Sequence, residues 1–239
     1  MPGARKGGLV MTGDLLVIVP SRGRPQNVAR LLDSVHATSQ VKTHLHIAVD
    51  EDDEKQPQYQ AVMDKAGGEH DVLETGPRKG LCAWTNEVAV RRAGEYPFLA
   101  SFGDDHVPGT PGWDRALIRA ITDAGGTGFS YPFDGTRDDI PEAVVMSSNI
   151  VQALGWMCMP DLDHWYPDCV WADLGRAIGC LRYLRAVKVE HAWKADQTSK
   201  DSGEHLTADR DAYWAWRKTR MAADIATLTA LREKVPVPA

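Results

Sequence analysis

The sequence predicts one α/β domain built on a mostly parallel sheet flanked by helices, and three observations lead there. Short apolar runs such as Leu15–Val19 and Tyr96–Phe102 have the continuous character of strands buried on both faces. Segments between them repeat their apolar residues at helical spacing, and strand–helix alternation closes a parallel sheet. At 239 residues and 43% hydrophobic content, the chain can bury a sizeable single core.

Residues 1–14 hold four glycines and a proline and predict a flexible lead, leaving 15–239 as the domain. Leu15-Leu16-Val17-Ile18-Val19 is the first strand, and Pro20-Ser21-Arg22-Gly23-Arg24-Pro25 turns it into a helix carrying Val28, Leu31, Leu32 and Val35. A strand at Leu45 to Asp50 runs into the acidic Glu51-Asp52-Asp53-Glu54, followed by a helix around Tyr59 to Ala66 and a short strand at Asp71 to Glu74. Gly76-Pro77-Arg78-Lys79-Gly80 breaks the chain before a helix with Leu81, Trp84 and Val88 on one face. That helix leads to the Tyr96–Phe102 strand, which exits into Gly103-Asp104-Asp105-His106.

Gly109-Thr110-Pro111-Gly112 starts a helix with Trp113, Leu117, Ile118 and Ile121, and Thr127 to Tyr131 reads as a strand. Ala143 to Ser147 is another strand, Asn149 to Leu154 a short helix, and Gly155 to Pro167 a loop rich in Trp, Pro and Met. Val170, Leu174, Ile178 and Leu181 mark a helix, and Tyr183 to Glu190 a strand ending at His191. Thr207 to Lys234 is expected as one long helix, with Asp209 and Asp211 in its first turn and Arg232 and Lys234 in its last.

Composition narrows the function classes. A net charge of -6 gives no global pull toward nucleic acid or an anionic membrane. No apolar run approaches the roughly 18 residues that span a bilayer, and Met1 to Gly8 lacks the apolar stretch of a signal peptide. Cys82, Cys158, Cys169 and Cys180 form no C-x-x-C pair, so they read as buried thiols of a reducing compartment rather than a zinc site or disulfide framework. A cytoplasmic protein is expected. No G-x-G-x-x-G follows the first strand, and residues 76–80 fail the G-x-x-x-x-G-K-[ST] pattern, which argues against a Rossmann dehydrogenase and a P-loop nucleotidase.

What remains is a site built from side chains. Asp104, Asp105 and His106 place two carboxylates and an imidazole at the exit of a central strand, where open α/β sheets bind ligands. Adjacent carboxylates repel unless a cation, a basic group or water offsets them; the alternative is a solvated acidic turn. Arg22, Arg24, Arg78 and Lys79 occupy loops after strands, so the charge layout fits a diphosphate with a divalent cation.

These residues resemble the nucleotide-sugar-dependent glycosyltransferases of the GT-A fold, closest to the family-2-like group and to short stand-alone versions found in phages of actinobacteria. The resemblance is carried by Val17 to Pro25, Ala48-Val49-Asp50, Gly80 to Asn86, Phe98 to Pro108, Asp168 to Gly175 and Val189-Glu190-His191. It implies a Rossmann-like GT-A sheet, with a nucleotide- and metal-binding half at 15–110, an acceptor-side half at 111–206 and the C-terminal helix at 207–234. It further implies that Pro20, Ser21 and Arg22 line the nucleoside pocket, that Asp50 hydrogen-bonds the base or ribose, and that Arg78 and Lys79 touch base, ribose or diphosphate.

The family's Asp-x-Asp metal motif maps onto Asp104-Asp105-His106, where His replaces the second Asp. Whether Asp104 with His106, or Asp105 alone, reaches the metal stays open. Many GT-A enzymes carry a further metal-binding His at the place of His191. A nitrogen ligand favours Mn²⁺ over Mg²⁺.

An inverting transfer needs a carboxylate to take the acceptor's proton, and Asp168 and Asp173 are the candidates. Five residues apart, they project about 140° from each other on a helix, so one is structural. Similarity to the segment after the family's acidic motif favours Asp173, whereas Asp168 can be read as an N-cap. Trp165 is the better sugar or acceptor platform, and Trp171 reads as packing. The implied partners are a nucleotide sugar and an acceptor that is a protein, a glycan or a modified DNA base, in the host cytoplasm if the chain is phage-encoded. The competing readings are a nucleotidyltransferase on a related sheet and a non-catalytic nucleotide- or carbohydrate-binding module.

Overall fold

The computed structural model describes residues 13–192 and 203–233. At its centre is β1 (Leu15–Ser21), whose alternate side chains feed two cores. Leu16 and Ile18 join one face of the sheet, and Leu15, Val17 and Val19 the other. Burial on both sides is why this strand reads as an unbroken apolar run. β1 pairs in parallel with β2 (Thr43–Asp50) and β4 (Phe98–Ser101), and β2 with β3 (Val72–Gly76).

The connections are α1 (Pro25–Thr38), α2 (Gln56–Ala66) and α3 (Leu81–Arg92). Pro25 opens α1, where a missing N–H costs nothing, and the helix buries Val28, Leu31, Leu32 and Val35 as their spacing predicts.

Beyond β4 the sheet reverses. β7 (Val144–Ser147) runs antiparallel to β4 and to β6 (Phe129–Phe133), β6 is parallel to β8 (Leu181–His191), and β5 (His106–Pro108) is antiparallel to β8. The eight strands are ordered β3-β2-β1-β4-β7-β6-β8-β5. The expected mostly parallel sheet is therefore met by four pairings to three, with every reversal in the second half. α4 (Trp113–Thr122), α5 (Ser148–Leu154) and α6 (Pro167–Ala177) pack around these strands.

Two expectations are corrected. The C-terminal segment is two helices, α7 (Leu206–Thr219) and α8 (Met221–Glu233), rather than one; Lys234 lies outside the described residues. The break falls at Arg220, which has φ −121° and ψ −25°, without any proline or glycine to announce it. Packing makes the break: Trp216 is buried and donates from Nε1 to Asp224 Oδ2 at 2.7 Å, and Leu228 of α8 reaches the same core. A straight helix would carry one of those faces into solvent.

Second, the helix marked by Val170 and Leu174 stops at Ala177, because Gly179 at φ 67° turns the chain and Leu181 already begins β8. Of the expected lead, residues 13 and 14 are described. Asp14 donates its N–H to Lys42 O and accepts the Lys42 N–H, tying it to the start of β2, while residues 1–12 lie outside the described residues.

Trp216 therefore ties α7 to α8 within this core. Trp216→Ala is expected to lower the unfolding free energy by about 3–5 kcal/mol, read as a reduced midpoint in chemical denaturation.

Candidate active site

The carboxyl ends of β1, β2 and β4 open into one cleft of about 700 Å³, closed on its other sides by His191 at the end of β8 and by the loop before α6. Pro20, Ser21, Arg22, Asp50, Arg78, Lys79, Asp104, Asp105, His106, Asp168 and His191 all line it, so nearly every residue expected at a site is brought together. Asp173 alone is not among them.

At the β1 and β2 ends the polar groups are heavily cross-linked. Asp50, buried where β2 stops, accepts the Lys79 N–H at 3.1 Å and Trp84 Nε1 at 2.8 Å on Oδ1, and Arg22 Nη1 at 3.0 Å on Oδ2. Arg22 also forks onto both oxygens of Asp52 at 2.5 and 3.2 Å, a hydrogen bond that raises its pKa further despite some burial. Lys79 pairs with Glu87 and sits 4.2 Å over the Trp84 ring, while Arg78 is 61% exposed at the cleft mouth. Asp50 thus fixes the 77–80 loop and Arg22 at once.

The acidic pair is buried, with Asp104 4% and Asp105 6% exposed. Asp104 accepts Ser21 Oγ at 2.5 Å, Asn27 Nδ2 at 3.1 Å and Arg24 Nη1 at 3.3 Å. Burial pushes its carboxyl up, and those donors oppose the rise. Asp105 lies 3.7 Å from Arg24 and 3.5 Å from His191 Nε2. Burial disfavours its charge, but the His191 hydrogen bond and neighbouring positive charge prevail and hold the carboxyl at about 2.

The two histidines meet because β5 and β8 pair in a register that sets His106 opposite His191. Their rings stack at 4.5 Å. His106 Nδ1 accepts the Gly103 N–H at 2.8 Å, and complete burial pushes the ring's pKa down to about 4. The neutral ring then carries its proton on Nε2 and spends its lone pair on Gly103. Nδ1 is thus occupied, the buried Nε2 has no hydrogen-bond partner among the described residues, and the ring stacks on His191.

His191 is oriented differently. Its Nδ1 bonds Glu142 at 2.7 Å and its Nε2 faces Asp105; burial opposes protonation, but the two carboxylates raise the pKa to about 10. A carboxylate bonded to one ring nitrogen is how proteins orient a metal-binding imidazole, and the other nitrogen of His191 faces Asp105. Once His191 gives up its Nε2 proton, Asp105 and His191 fit a divalent ion as an oxygen–nitrogen pair. Among the described residues no three His, Cys, Asp or Glu side chains converge on one metal position.

Glu142 escaped the sequence reading, since it stands alone in a segment without periodicity. Asn27 and Tyr59 escaped it too; Tyr59 OH bonds Ser21 Oγ and the Arg24 N–H, each at 2.8 Å.

The far wall is the loop before α6. Asp209, buried in the first turn of α7, accepts the backbone N–H groups of Asp163, His164 and Trp165 at 2.7–2.9 Å. Asp163 O accepts the Cys82 N–H at 3.0 Å, so the loop is stapled between α3 and α7. Tyr166 holds φ 73°, the one positive value among non-glycine described residues, and stacks on Tyr213 at 5.1 Å. Trp165 is exposed on the cleft wall, whereas Trp171 is buried and donates from Nε1 to Met157 O.

The two candidate bases separate as helical geometry requires. Asp173 accepts Tyr213 OH at 2.8 Å and pairs with Arg217 at 3.2 Å, so its carboxylate anchors α7 outside the cleft lining. Asp168 follows Pro167 in the first turn, with Tyr166 rather than Asp168 at the N-cap position, and accepts the Cys169 N–H at 2.8 Å. Burial pushes its carboxyl up.

Solved structures share this architecture. A mannosyltransferase, PcManGT from Pyrobaculum calidifontis in complex with GDP-Man and Mn²⁺, superposes with a TM-score of 0.66 at 13% identity over 91% of this chain and 73% of its own. The fold is of the GT-A type. Two further GT-A neighbours are S. aureus TarS 1-349 in complex with UDP-GlcNAc (TM-score 0.61, 13% identity, 77% of this chain) and GalNAc-T7 with UDP, GalNAc and Mn²⁺ (TM-score 0.62, 12% identity, 77% of this chain). The chain spans 59% of that TarS chain and 44% of the GalNAc-T7 chain. No family model and no curated protein sequence matches it. No helix among the described residues is long and apolar enough to cross a membrane.

Gly80 sits where the GT-A cleft meets the stapled loop, and a Cβ there would lie 1.7 Å from Asp163 Oδ1 and 2.9 Å from Asp163 O. Gly80→Ala should therefore displace the loop, costing about 1–3 kcal/mol in thermal or chemical unfolding and weakening ligand binding in the cleft.

Proposed function

We propose that this protein is a metal-dependent glycosyltransferase, moving a sugar from a nucleotide-diphosphate sugar to an acceptor hydroxyl. The observation that carries the reading is the Glu142–His191–Asp105 arrangement, set in one cleft with Arg22, Arg78 and Lys79. A GT-A fold whose solved neighbours hold GDP-Man or UDP with Mn²⁺ supports it. Asp105 and His191 would hold the divalent ion, with diphosphate oxygens and water completing its shell, and the nitrogen donor favours Mn²⁺ over Mg²⁺. When bound, such an ion neutralises the leaving diphosphate.

The remaining steps belong to the chain. Pro20, Ser21, Arg22 and Asp50 line the nucleoside end, and Arg78 and Lys79 bring positive charge to the diphosphate. Asp104 shapes the floor through Ser21, Asn27 and Arg24. Asp168 takes the acceptor's proton as its oxygen attacks the anomeric carbon, and burial makes that carboxylate a stronger proton acceptor. Trp165 supplies an aromatic face beside it. The acceptor hydroxyl belongs to a protein, a glycan or a modified DNA base, and the net charge of -6 disfavours DNA.

A panel of UDP-, GDP- and dTDP-sugars, scored by metal-dependent thermal stabilisation, identifies the donor. Turnover of that donor should vanish on chelation and return with Mn²⁺; metal-insensitive binding without turnover would instead mark a non-catalytic binding module.

Asp168→Asn should lower kcat by about 10²–10⁴-fold while leaving nucleotide affinity intact. In the wild type, the acid limb of the kcat profile should lie above the ordinary carboxylate range, because the base works only when ionised and burial raises its pKa. Full turnover in Asp168→Asn would point to a retaining route that needs no base there.

A further inference from the structure

Arg24 reaches both members of the acidic pair, with Nη1 3.3 Å from Asp104 Oδ1 and 3.7 Å from Asp105 Oδ2. Its side chain is 14% exposed and lines the cleft, and it shares Asp105 with His191. Two adjacent buried carboxylates need compensating charge, and without ligand this guanidinium supplies it together with His191. A divalent ion on Asp105 would meet Arg24 as a like charge at short range, where screening by water is weak. An incoming diphosphate offers the same guanidinium a set of anionic oxygens that match its planar fork.

We propose that Arg24 is a displaceable counter-cation: it holds the acidic pair until a nucleotide diphosphate draws it away, so metal and diphosphate bind cooperatively. The idea rests on the metal–nucleotide reading of the cleft. Drawing Arg24 onto a diphosphate alone would strip charge from Asp104 and Asp105, and seating the ion alone would crowd Arg24. Together the two ligands relieve both costs. Arg24 thus sets the strength of the coupling, whereas Asp105 and His191 set where the ion sits.

Mn²⁺ binding by the whole chain tests this, measured by calorimetry and by the spin-resonance signal of free Mn²⁺, without nucleotide and with saturating UDP or GDP. The wild type, Arg24→Gln and the charge-retaining Arg24→Lys are compared, with circular dichroism confirming the fold of each. Phosphate oxygens that ligate the ion supply part of any coupling, so the difference between variants isolates Arg24. The wild type should bind Mn²⁺ about tenfold or more tightly once nucleotide is present. Arg24→Gln should bind Mn²⁺ alone about tenfold more tightly than the wild type and lose most of the nucleotide's enhancement, while Arg24→Lys stays close to the wild type.

Equal Mn²⁺ affinity and coupling in wild type and Arg24→Gln would overturn the proposal and leave the metal site standing. Should Arg24→Gln not fold, equal Mn²⁺ affinity of the wild type with and without nucleotide still refutes the proposal. A wild type that binds no Mn²⁺ even with nucleotide refutes the metal reading itself, and this proposal with it.

Discussion

Two neighbouring carboxylates cannot be buried together unless positive charge and hydrogen-bond donors come with them, and that requirement organises the cleft. An uncompensated buried carboxylate costs several kcal/mol. Here Asp104 draws its donors from the end of β1 and from the start of α1, through Ser21, Arg24 and Asn27. Asp105 draws on Arg24 and on His191 at the end of β8. The pair therefore ties the parallel half of the sheet to the strand that returns from the antiparallel half.

The same requirement explains the paired histidines. Both rings occupy one register position on β5 and β8, yet burial and hydrogen bonding give them different charge states. His106, fully buried and bonded to a backbone donor, stays neutral; His191, set between Asp105 and Glu142, is held protonated. A neutral ring stacked on a cationic one avoids repulsion between them and leaves His191 as the adjustable charge. The opposite wall is built from longer-range contacts. Asp209 gathers three consecutive backbone donors of the 163–165 loop, and Asp173 fixes Tyr213, against which the strained Tyr166 stacks. C-terminal helices remote in sequence thus help to shape the cleft.

Much of the first half was legible in the sequence because its signals are local. Strands buried on both faces must be continuously apolar, helices must repeat at their own period, and ligands gather where parallel strands end. Within residues 15 to 108, β1 and β4 obey the first rule, α1 the second and the cleft the third, so Ser21, Arg22, Asp50, Arg78, Lys79 and the Asp104–His106 cluster could be named from spacing and resemblance. The second half mixes strand directions, and its decisive contacts join residues far apart in the chain. Glu142 behind His191 and Asp209 beneath the loop carry no local pattern, and the break at Arg220 has no breaking residue.

The sequence by itself determined the α/β class, the βα units, the strand-end acidic cluster and the cationic loops facing it. Tertiary structure decided which partner each histidine nitrogen meets, that Asp168 rather than Asp173 lines the cleft, and that Arg24 spans both acids. The reason is physical. Periodicity and turn chemistry act over a few residues, whereas charge compensation and imidazole protonation depend on neighbours that only strand pairing and helix packing bring within 4 Å.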